Sequence, residues 1–356
     1  MIPASAGAYY SSLAARPGPQ RADTSLPLVL VVGALGSTGR SITRGMLYSG
    51  KFRVAAMVRP VSMNKPLTEQ LRKAGVDIRP GDLHDGVDRL KTVLRGVSIL
   101  VSAVGPDAIA DQKDLFRAAR AVGVQRVVPS EWGTPGAEGV IPVRDAKIAI
   151  RSFLAALRLP CTVIDIGWRM QTFLPLPPRS RVDPRIRALT HRAFAFAASA
   201  DPAHTLLTDL NAVGAYVARV LADPRTSDRM VIVWEDERPV SAAAAAGERF
   251  SGEGPAMRSQ RATITEQDLT RLEKEAHALL AAGGGAHPDA EQLELQIWWC
   301  GFARSVCVLR ENTLENARRL GYVDARALYP DIRASMLEEF AGRFYRMKDP
   351  SEGGWM

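Results

Sequence analysis

Three glycines at a spacing suited to phosphate binding stand between an apolar run and an amphipathic segment. The stretch from Val31 to Arg40 contains them in a GxxGxxG pattern. Glycine lets the backbone approach a pyrophosphate closely, and a helix N-terminus presents free N–H groups and a positive dipole end. The pattern departs from GxGxxG, so its strand-loop-helix context carries the prediction over the alternative of a plain glycine turn. The predicted dinucleotide contacts are Gly33, Leu35, Gly36, Ser37, Thr38 and Gly39.

The residues after the second apolar run choose between the two nicotinamide dinucleotides. A carboxylate about 20 residues beyond the glycines would bind the ribose hydroxyls of NAD and repel a 2′-phosphate. This chain has Arg59 at that point, with Lys65 close behind. A guanidinium offers a two-pronged fork to a phosphate, and a lysine adds a point charge. The pattern favours NADPH over NADH, and an ordinary solvated arginine is the alternative interpretation.

Two further segments follow predicted strands at the edge where a doubly wound sheet binds its ligand. Asp82 and Leu83 follow the third strand, and Asp82 is predicted to bond the adenine amine. Ala103, Val104 and Gly105 follow the fourth strand and are predicted to pass under the adenosine and pyrophosphate. Plain turns are the alternative for both segments.

Short apolar runs alternate with amphipathic segments from Pro27 onward, which is typical of a parallel sheet covered by helices. Because such crossovers are right-handed, the pattern predicts an α/β, Rossmann-type, doubly wound sheet in the order 3-2-1-4-5. The predicted strands are 28–32, 53–58, one beginning at 78, 97–101, 126–128 and 161–166. The predicted helices between them are 37–49, 86–95, 111–122 and 144–158.

A smaller, mostly helical lobe is predicted beyond the prolines at 175–178, with a strand at 230–234 that returns to the sheet. The predicted helices of this part are 206–222, 265–280, 290–303, 313–320 and 334–346. Segments 241–260 and 281–290 are predicted as loops, although the alanines at 242–246 fit a helical turn equally well. The predicted division is a disordered extension 1–27, an NADP-binding domain 28–166, a substrate lobe 167–346 and a tail 347–356.

The composition of the chain limits the classes of partner that it is expected to bind. The net charge of +8 is spread along 356 residues, and aromatic residues make up 6%. Without clustered Lys and Arg or a recognisable reading motif, no nucleic-acid partner is expected. Three cysteines without a CxxC pair predict no metal site and a cytoplasmic location. The longest apolar stretch is too short for a membrane helix, so no membrane partner is expected, and a homodimer is left open.

At this point the residues resemble a known family. The glycine loop, Arg59, the segment Val128-Pro129-Ser130-Glu131-Trp132-Gly133 and the later Lys147 are similar to the NmrA-like and isoflavone reductase-like branch of the atypical short-chain dehydrogenases. The segments 167–171, 207–210, 312–317 and 320–322 resemble its fungal members, whereas 235–295 matches poorly. The resemblance spans about residues 28–345.

The resemblance implies roles for the residues near the ends of the fifth and sixth strands. Lys147 would point at the nicotinamide ribose and, itself or through a water it holds, donate the proton, because Val143 stands where the wider group has a tyrosine. Ser130 and Glu131 would face the cofactor in catalysis, with a structural role as the alternative for Glu131. Gly167 would adjoin the cofactor. The predicted apolar substrate wall is Trp132, Trp168, Met170, Gln171 and Phe173, with core packing as the alternative.

The function implied is an NADPH-dependent reductase of a fairly apolar small molecule, an enone, ketone or imine, in secondary metabolism. Hydride would come from NADPH, and the site would supply geometry and a proton. A redox sensor that binds NADP(H) without turnover is one alternative, which the valine at 143 favours. An isomerase or cyclase that uses the cofactor as a template is another.

Overall fold

The computed structural model describes residues 24–182, 187, 203–260, 264–283 and 287–353. Most of the extension predicted for 1–27, and the last residues of the predicted tail, lie outside the described residues. Among the residues that are described, no helix is both long and apolar enough to cross a bilayer.

Five parallel strands form the sheet that carries the glycine loop. They are β1 (Leu28–Val32), β2 (Arg53–Val58), β3 (Asp77–Pro80), β4 (Ile99–Ser102) and β5 (Arg126–Val128). Their order is β3-β2-β1-β4-β5, so the predicted order 3-2-1-4-5 is confirmed. The helices that connect and follow them are α1 (Ser37–Ser49), α2 (Pro66–Lys73), α3 (Gly86–Val93), α4 (Gln112–Ala121) and α5 (Pro142–Ala156). β1 is buried along its whole length because helices cover both faces of the sheet.

The parallel arrangement continues past β5. Cys161 bridges Val127 and leads into β6 (Val163–Asp165), which pairs with β9 (Met230–Ile232). β9 in turn pairs with β11 (Val323–Asp324), again in parallel. β9, from the second half of the chain, thus joins β6 in a three-stranded sheet that the Val127–Cys161 bridge links to β5.

A second, small sheet begins directly after β6. It contains β7 (Trp168–Arg169), β8 (His204–Thr208) and β10 (Asp236–Pro239), in the order β10-β8-β7. The predicted helix 206–222 is therefore wrong in its first part, because β8 precedes α7 (Val213–Ala222). Thr205–Thr208 is buried on both faces, and a short buried apolar run does not reveal whether it is strand or helix.

The remaining helices belong mainly to the C-terminal half. They are α6 (Met170–Phe173), α8 (Ala242–Phe250), α9 (Gly254–Ser259), α10 (Glu266–Ala282), α11 (Ala290–Ala303), α12 (Leu314–Arg319), α13 (Ala325–Leu328) and α14 (Leu337–Phe344). The loop predicted for 241–260 is wrong, because α8 and α9 occupy it and the alanines take the helical alternative. The loop predicted for 281–290 holds only in part, since α10 reaches Ala282 and 284–286 lie outside the described residues.

Helix α7 packs directly on α1 and joins the two halves of the chain. A Cβ on Gly214 would lie 1.9 Å from the carbonyl oxygen of Ser41, and one on Gly45 would lie 2.1 Å from the Gly214 backbone. Such a close approach is open only to glycine. The Gly214 N–H also donates to Ser41 Oγ at 3.0 Å. Accordingly one hydrophobic core contains Val29 and Ile42 together with residues of α7 and α14.

Candidate functional site

The glycine loop leaves β1 and closes tightly on the end of β4. Gly33 has φ +80°, and a Cβ there would lie 2.3 Å from the Ala103 carbonyl oxygen. A Cβ on Gly39 would lie 2.1 Å from the Gly33 carbonyl oxygen. Gly36 precedes α1, and no side chain caps this helix or places an acid in its first turn. The first N–H groups of α1 are thus available to an anionic ligand, and the cradle fits a dinucleotide pyrophosphate.

The loops after β4 and β5 are tied to each other beside this cradle. Ser130 Oγ donates to the Val104 carbonyl oxygen at 2.9 Å, and the Ser130 N–H donates to Gln112 Oε1 at 3.1 Å. Ser130 is therefore placed at the predicted crevice, with both of its groups engaged in holding the loops. Ala103 and Leu35 pack, partly buried, against the main core, and Gly105 is exposed.

The cations predicted to recognise a 2′-phosphate lie exposed just after β2. Neither Arg59 nor Lys65 has a side-chain hydrogen bond or ion pair in the described part of the chain. The hydrogen bond from the His84 backbone N–H lowers the pKa of Asp82, and the positive charge of the nearby Arg59 lowers that pKa further. The Asp82 carboxylate binds the His84 ring at 2.9 Å, and Leu83 packs against the core.

Lys147 projects from α5 beneath the end of β5. Its Nζ donates to the carbonyl oxygen of Glu131. The space around it is tight, since a Cβ on Gly133 would lie 3.4 Å from Nζ. Burial lowers the pKa of Lys147, and the neighbouring positive charge of Arg144 lowers it further, against the opposing effect of Glu131. A lysine whose pKa is lowered exchanges its proton more readily near neutrality.

A buried ion cluster surrounds this lysine. It contains two carboxylates and two guanidinium groups, so its negative and positive charges are equal in number. Arg151 binds Glu131 through two bonds, of 2.7 and 2.8 Å. Arg144 contacts Asp165 at 3.3 Å, and the Tyr322 hydroxyl donates to the same carboxylate at 2.6 Å. Both carboxylate side chains are fully buried.

The pairing in this cluster has two consequences. Within the described ranges, Lys147 is left as a cation without a carboxylate of its own. The Glu131 carboxylate is fully engaged with Arg151, which favours its structural alternative over a catalytic one. The four other members of the cluster are not predicted from the sequence: Arg144, Arg151, Asp165 and Tyr322. The spacing of Arg144, Lys147 and Arg151 does place these three residues on one face of a helix.

The predicted substrate wall divides between core and crevice. Met170 and Phe173 are fully buried, and the Gln171 amide is satisfied by Asp209 at 2.7 Å and by the Leu210 N–H at 3.1 Å. These three positions favour the core-packing alternative. Trp132 is held by its indole N–H, which donates to the Ser102 carbonyl oxygen at 2.7 Å.

Trp168 lies at the start of a row of rings that reaches the surface. Its ring meets Phe173 at 5.2 Å and Phe302 at 4.7 Å, both edge-on. Phe302 stacks on Trp298 at 5.3 Å, and Trp298 is 40% exposed. We call Trp168, Phe302 and Trp298 the aromatic row. Its two members on α11, Phe302 and Trp298, are not predicted from the sequence, because no sequence pattern indicates that this helix packs against β7.

Gly167 makes the turn between β6 and β7. Its φ is +64°, and a Cβ there would lie 2.7 Å from the Leu206 carbonyl oxygen. The close approach that requires glycine is thus to the backbone of β8, and contact with a cofactor stays a prediction. In the described ranges no group of three or more His, Cys, Asp or Glu side chains could hold a metal ion.

Known proteins are similar to this chain in sequence and in fold. The NmrA-like family model matches residues 26–238. Asnovolin J 5′,6′-dehydrogenase of Aspergillus novofumigatus is 32% identical over 331 residues, which cover 88% of this chain and 93% of that protein. The chain belongs to the NmrA-like family. The resemblance drawn from the glycine loop and the segment 128–133 is confirmed.

Other similar proteins have lower sequence identity to this chain. A probable pinoresinol-lariciresinol reductase of Arabidopsis thaliana is 24% identical over 319 residues, covering 88% of this chain and 95% of that protein. The structure of the leucoanthocyanidin reductase–NADPH complex from Vitis vinifera has a TM-score of 0.69 at 20% identity, over 90% of this chain and 100% of that one. The predicted Rossmann-type fold with a helical C-terminal part is confirmed.

Proposed function

We propose that this NmrA-like protein is an NADPH-dependent reductase of a fairly apolar small molecule. The observation that carries the proposal is Lys147, a half-buried lysine that has no carboxylate partner of its own among the described residues. It lies at the same sheet edge as the uncapped N-terminus of α1, so a proton-carrying group and an anion-binding loop adjoin one crevice. NADPH, when bound, supplies a hydride.

The residues around the crevice fit such a dinucleotide. Gly33, Gly36 and Gly39 form the pyrophosphate cradle, and the exposed Arg59 and Lys65 suit the 2′-phosphate. Leu35, Ser37, Thr38, Asp82, Leu83, Ala103–Gly105 and Gly167 remain the predicted flanking contacts. Similar structures support the cofactor, since one contains NADPH and another contains NADP⁺ with (+)-pinoresinol.

Lys147 moves the proton in this proposal. The Glu131 carbonyl oxygen fixes Nζ, and the surrounding ion cluster fixes the Glu131 backbone through its bonded carboxylate. The apolar side chain of Val143 cannot carry a proton, so either Nζ or a water bound to it delivers one. Ser130 fixes the distance between the two loops that flank the crevice.

The aromatic row suggests the substrate class. An apolar, planar molecule such as an enone, ketone or imine gains dispersion and hydrophobic energy against Trp168, Phe302 and Trp298. The fungal relative is named for a dehydrogenation and the plant relatives for reductions, so related sites serve both directions. Secondary-metabolite biosynthesis and a cytoplasmic location stay predictions for this chain.

A redox sensor is the second candidate, and the valine at position 143 favours it. A sensor binds NADPH and NADP⁺ with different affinities and converts no substrate. No contact in the described residues specifically favours the cofactor-templated isomerase or cyclase.

Titration of the purified protein with NADPH and NADP⁺ by calorimetry tests cofactor binding. Absorbance assays of NADPH consumption, with a panel of conjugated ketones and imines, then test turnover. The reductase is expected to consume NADPH with at least one substrate. Form-selective binding without turnover on any substrate favours the sensor, and absence of binding by either dinucleotide overturns both.

A further inference from the structure

Arg169 lies beside the candidate site, and its side chain has no partner in the part of the chain that the structure describes. It follows Trp168 in β7, one step from the aromatic row. Throughout the described residues, no hydrogen bond, ion pair or ring contact involves its guanidinium. Its backbone pairs with Thr208 of β8, and its carbonyl oxygen accepts from Thr172 Oγ1 at 3.2 Å.

The surroundings of Arg169 make this isolation costly. Burial lowers the pKa of its guanidinium, and no neighbouring charge opposes that effect. The residue nevertheless keeps some accessible surface. The side chain is therefore largely enclosed by protein and still partly open to solvent. Because arginine stays charged in proteins, its five N–H donors there await water or an anion.

Other buried arginines of the chain differ from it. Arg126 donates to Thr162 Oγ1 and Thr226 Oγ1, both at 2.8 Å, and Arg144 is paired with Asp165. Arg151 is paired with Glu131. The fold therefore satisfies a buried guanidinium where that group serves structure, and Arg169 lacks this provision.

The position of Arg169 relates it to the same crevice as Lys147. The Ile166 N–H donates to the Gly133 carbonyl oxygen at 2.9 Å, which places the turn before Trp168 beside the loop that covers Lys147. The cofactor phosphates already have the N-terminus of α1, Arg59 and Lys65. A further anion-binding group at this end of the sheet is thus available to the substrate.

We propose that Arg169 binds a carboxylate of the substrate, so that the substrate is an aromatic or polycyclic carboxylic acid whose ring system lies on the aromatic row. A guanidinium binds a carboxylate through two parallel hydrogen bonds, which fixes the orientation of the acid as well as its presence. This inference rests on the proposed function and names its substrate class.

The test uses a panel of aromatic and polycyclic carboxylic acids, each with its methyl ester. Calorimetry measures their binding to the full chain, free and loaded with NADP⁺. At least one acid is expected to bind about 10- to 100-fold more tightly than its ester, because hydrogen bonds to a charged group are lost in the ester. Arg169→Met is expected to abolish this preference, and Arg169→Lys to keep part of it.

Arg229→Met is the matched control, because Arg229 is exposed and precedes β9 at the opposite edge of the sheet. It should leave the preference for acids unchanged. Arg169→Met should also raise the melting temperature of the ligand-free protein, since an unpaired buried charge is removed; Arg229→Met should not.

The outcomes separate the two proposals. Equal binding of acids and esters, no saturable binding of any acid, or a preference that survives in Arg169→Met overturns the role of Arg169. If NADP⁺ binds and the preference is absent, the reductase proposal stands alone. If the preference is present and neither dinucleotide binds, the carboxylate site stands and the reductase proposal fails.

Discussion

At the scale of single residues, Lys147 is the side chain on which the proposed chemistry depends. Its ammonium lies against a carbonyl oxygen, and the nearby carboxylates are paired with arginines. Lys147→Met is expected to abolish NADPH consumption while the protein still melts cooperatively, because a buried cation without a carboxylate contributes little to folding. Turnover assays and thermal denaturation check this, and retained turnover would remove Lys147 from the mechanism.

The pH dependence of the same residue has a definite sign. A lysine donates a proton only while protonated, and burial lowers the pKa of Lys147 below its ordinary value of 10.5. Turnover with saturating NADPH is therefore expected to fall as the pH rises through that lowered pKa, before ordinary lysines deprotonate. A rate profile taken from neutral to alkaline pH measures it. A rate that stays constant up to the pH at which ordinary lysines deprotonate, ~10.4, would contradict proton donation by Lys147.

Arg59 is the residue that we propose distinguishes NADPH from NADH. Arg59→Ala is expected to weaken NADPH binding about 10- to 100-fold and NADH binding about twofold or less, because only NADPH carries the 2′-phosphate. Calorimetry with both dinucleotides measures the two affinities. Arg89→Ala, which removes an exposed arginine from α3, is the control and should change neither. Equal losses for both cofactors in Arg59→Ala would refute the phosphate role.

At the scale of elements, the contact between α1 and α7 depends on two glycines. Gly214→Ala is expected to destabilise the fold by about 3 kcal/mol or more, because its methyl group would overlap the Ser41 carbonyl oxygen. Gly342→Ala, in α14 with open space around the added carbon, should instead stabilise by about 0.5–1 kcal/mol. Urea denaturation measures both changes. Equal effects of the two substitutions would show that the helices separate at little cost.

The elements also show which parts of the fold the sequence encodes locally. The strands of the nucleotide sheet follow from the alternation of short apolar runs with amphipathic segments, and α11 has the bounds predicted for it. The prediction for β8 is wrong, because Leu206 and Leu207 are buried in two different hydrophobic clusters that form only in the folded chain.

The local sequence pattern likewise predicts only part of the candidate site. Lys147 and the glycine loop are recognisable from neighbouring residues along the chain. The ion cluster and the aromatic row are not, since Tyr322 meets Asp165 across 157 positions and Phe302 meets Trp168 only after α11 has docked.

At the scale of the whole molecule, Glu235 links strands and helices that are distant in sequence. Its carboxyl oxygens accept from the Asp209 N–H at 2.7 Å and the Ser335 N–H at 2.9 Å. Burial, helped by the charge of Asp209, raises the pKa of Glu235 to about 8. The folded state therefore keeps a proton that the unfolded chain releases near pH 4.5.

That difference predicts how stability changes with pH. The contribution of Glu235 is fully present below about pH 4.5 and is lost as the pH rises to about 8, by a few kcal/mol at most. Glu235→Gln cannot titrate, so the stability advantage of the natural chain over this variant should shrink steadily between those limits. Denaturation of both proteins at several pH values measures it, and a constant or growing advantage would contradict the raised pKa.

Tyr322 and β11 have a consequence for how the protein is made. They come near the C-terminus, yet β11 covers the edge of β9 and Tyr322 completes the bonding of Asp165. Until the ribosome has synthesised β11, the edge of β9 stays unpaired. An unpaired strand edge is prone to associate with strands of other molecules. A premature stop codon before position 322 is therefore expected to yield an aggregating fragment rather than a smaller working enzyme.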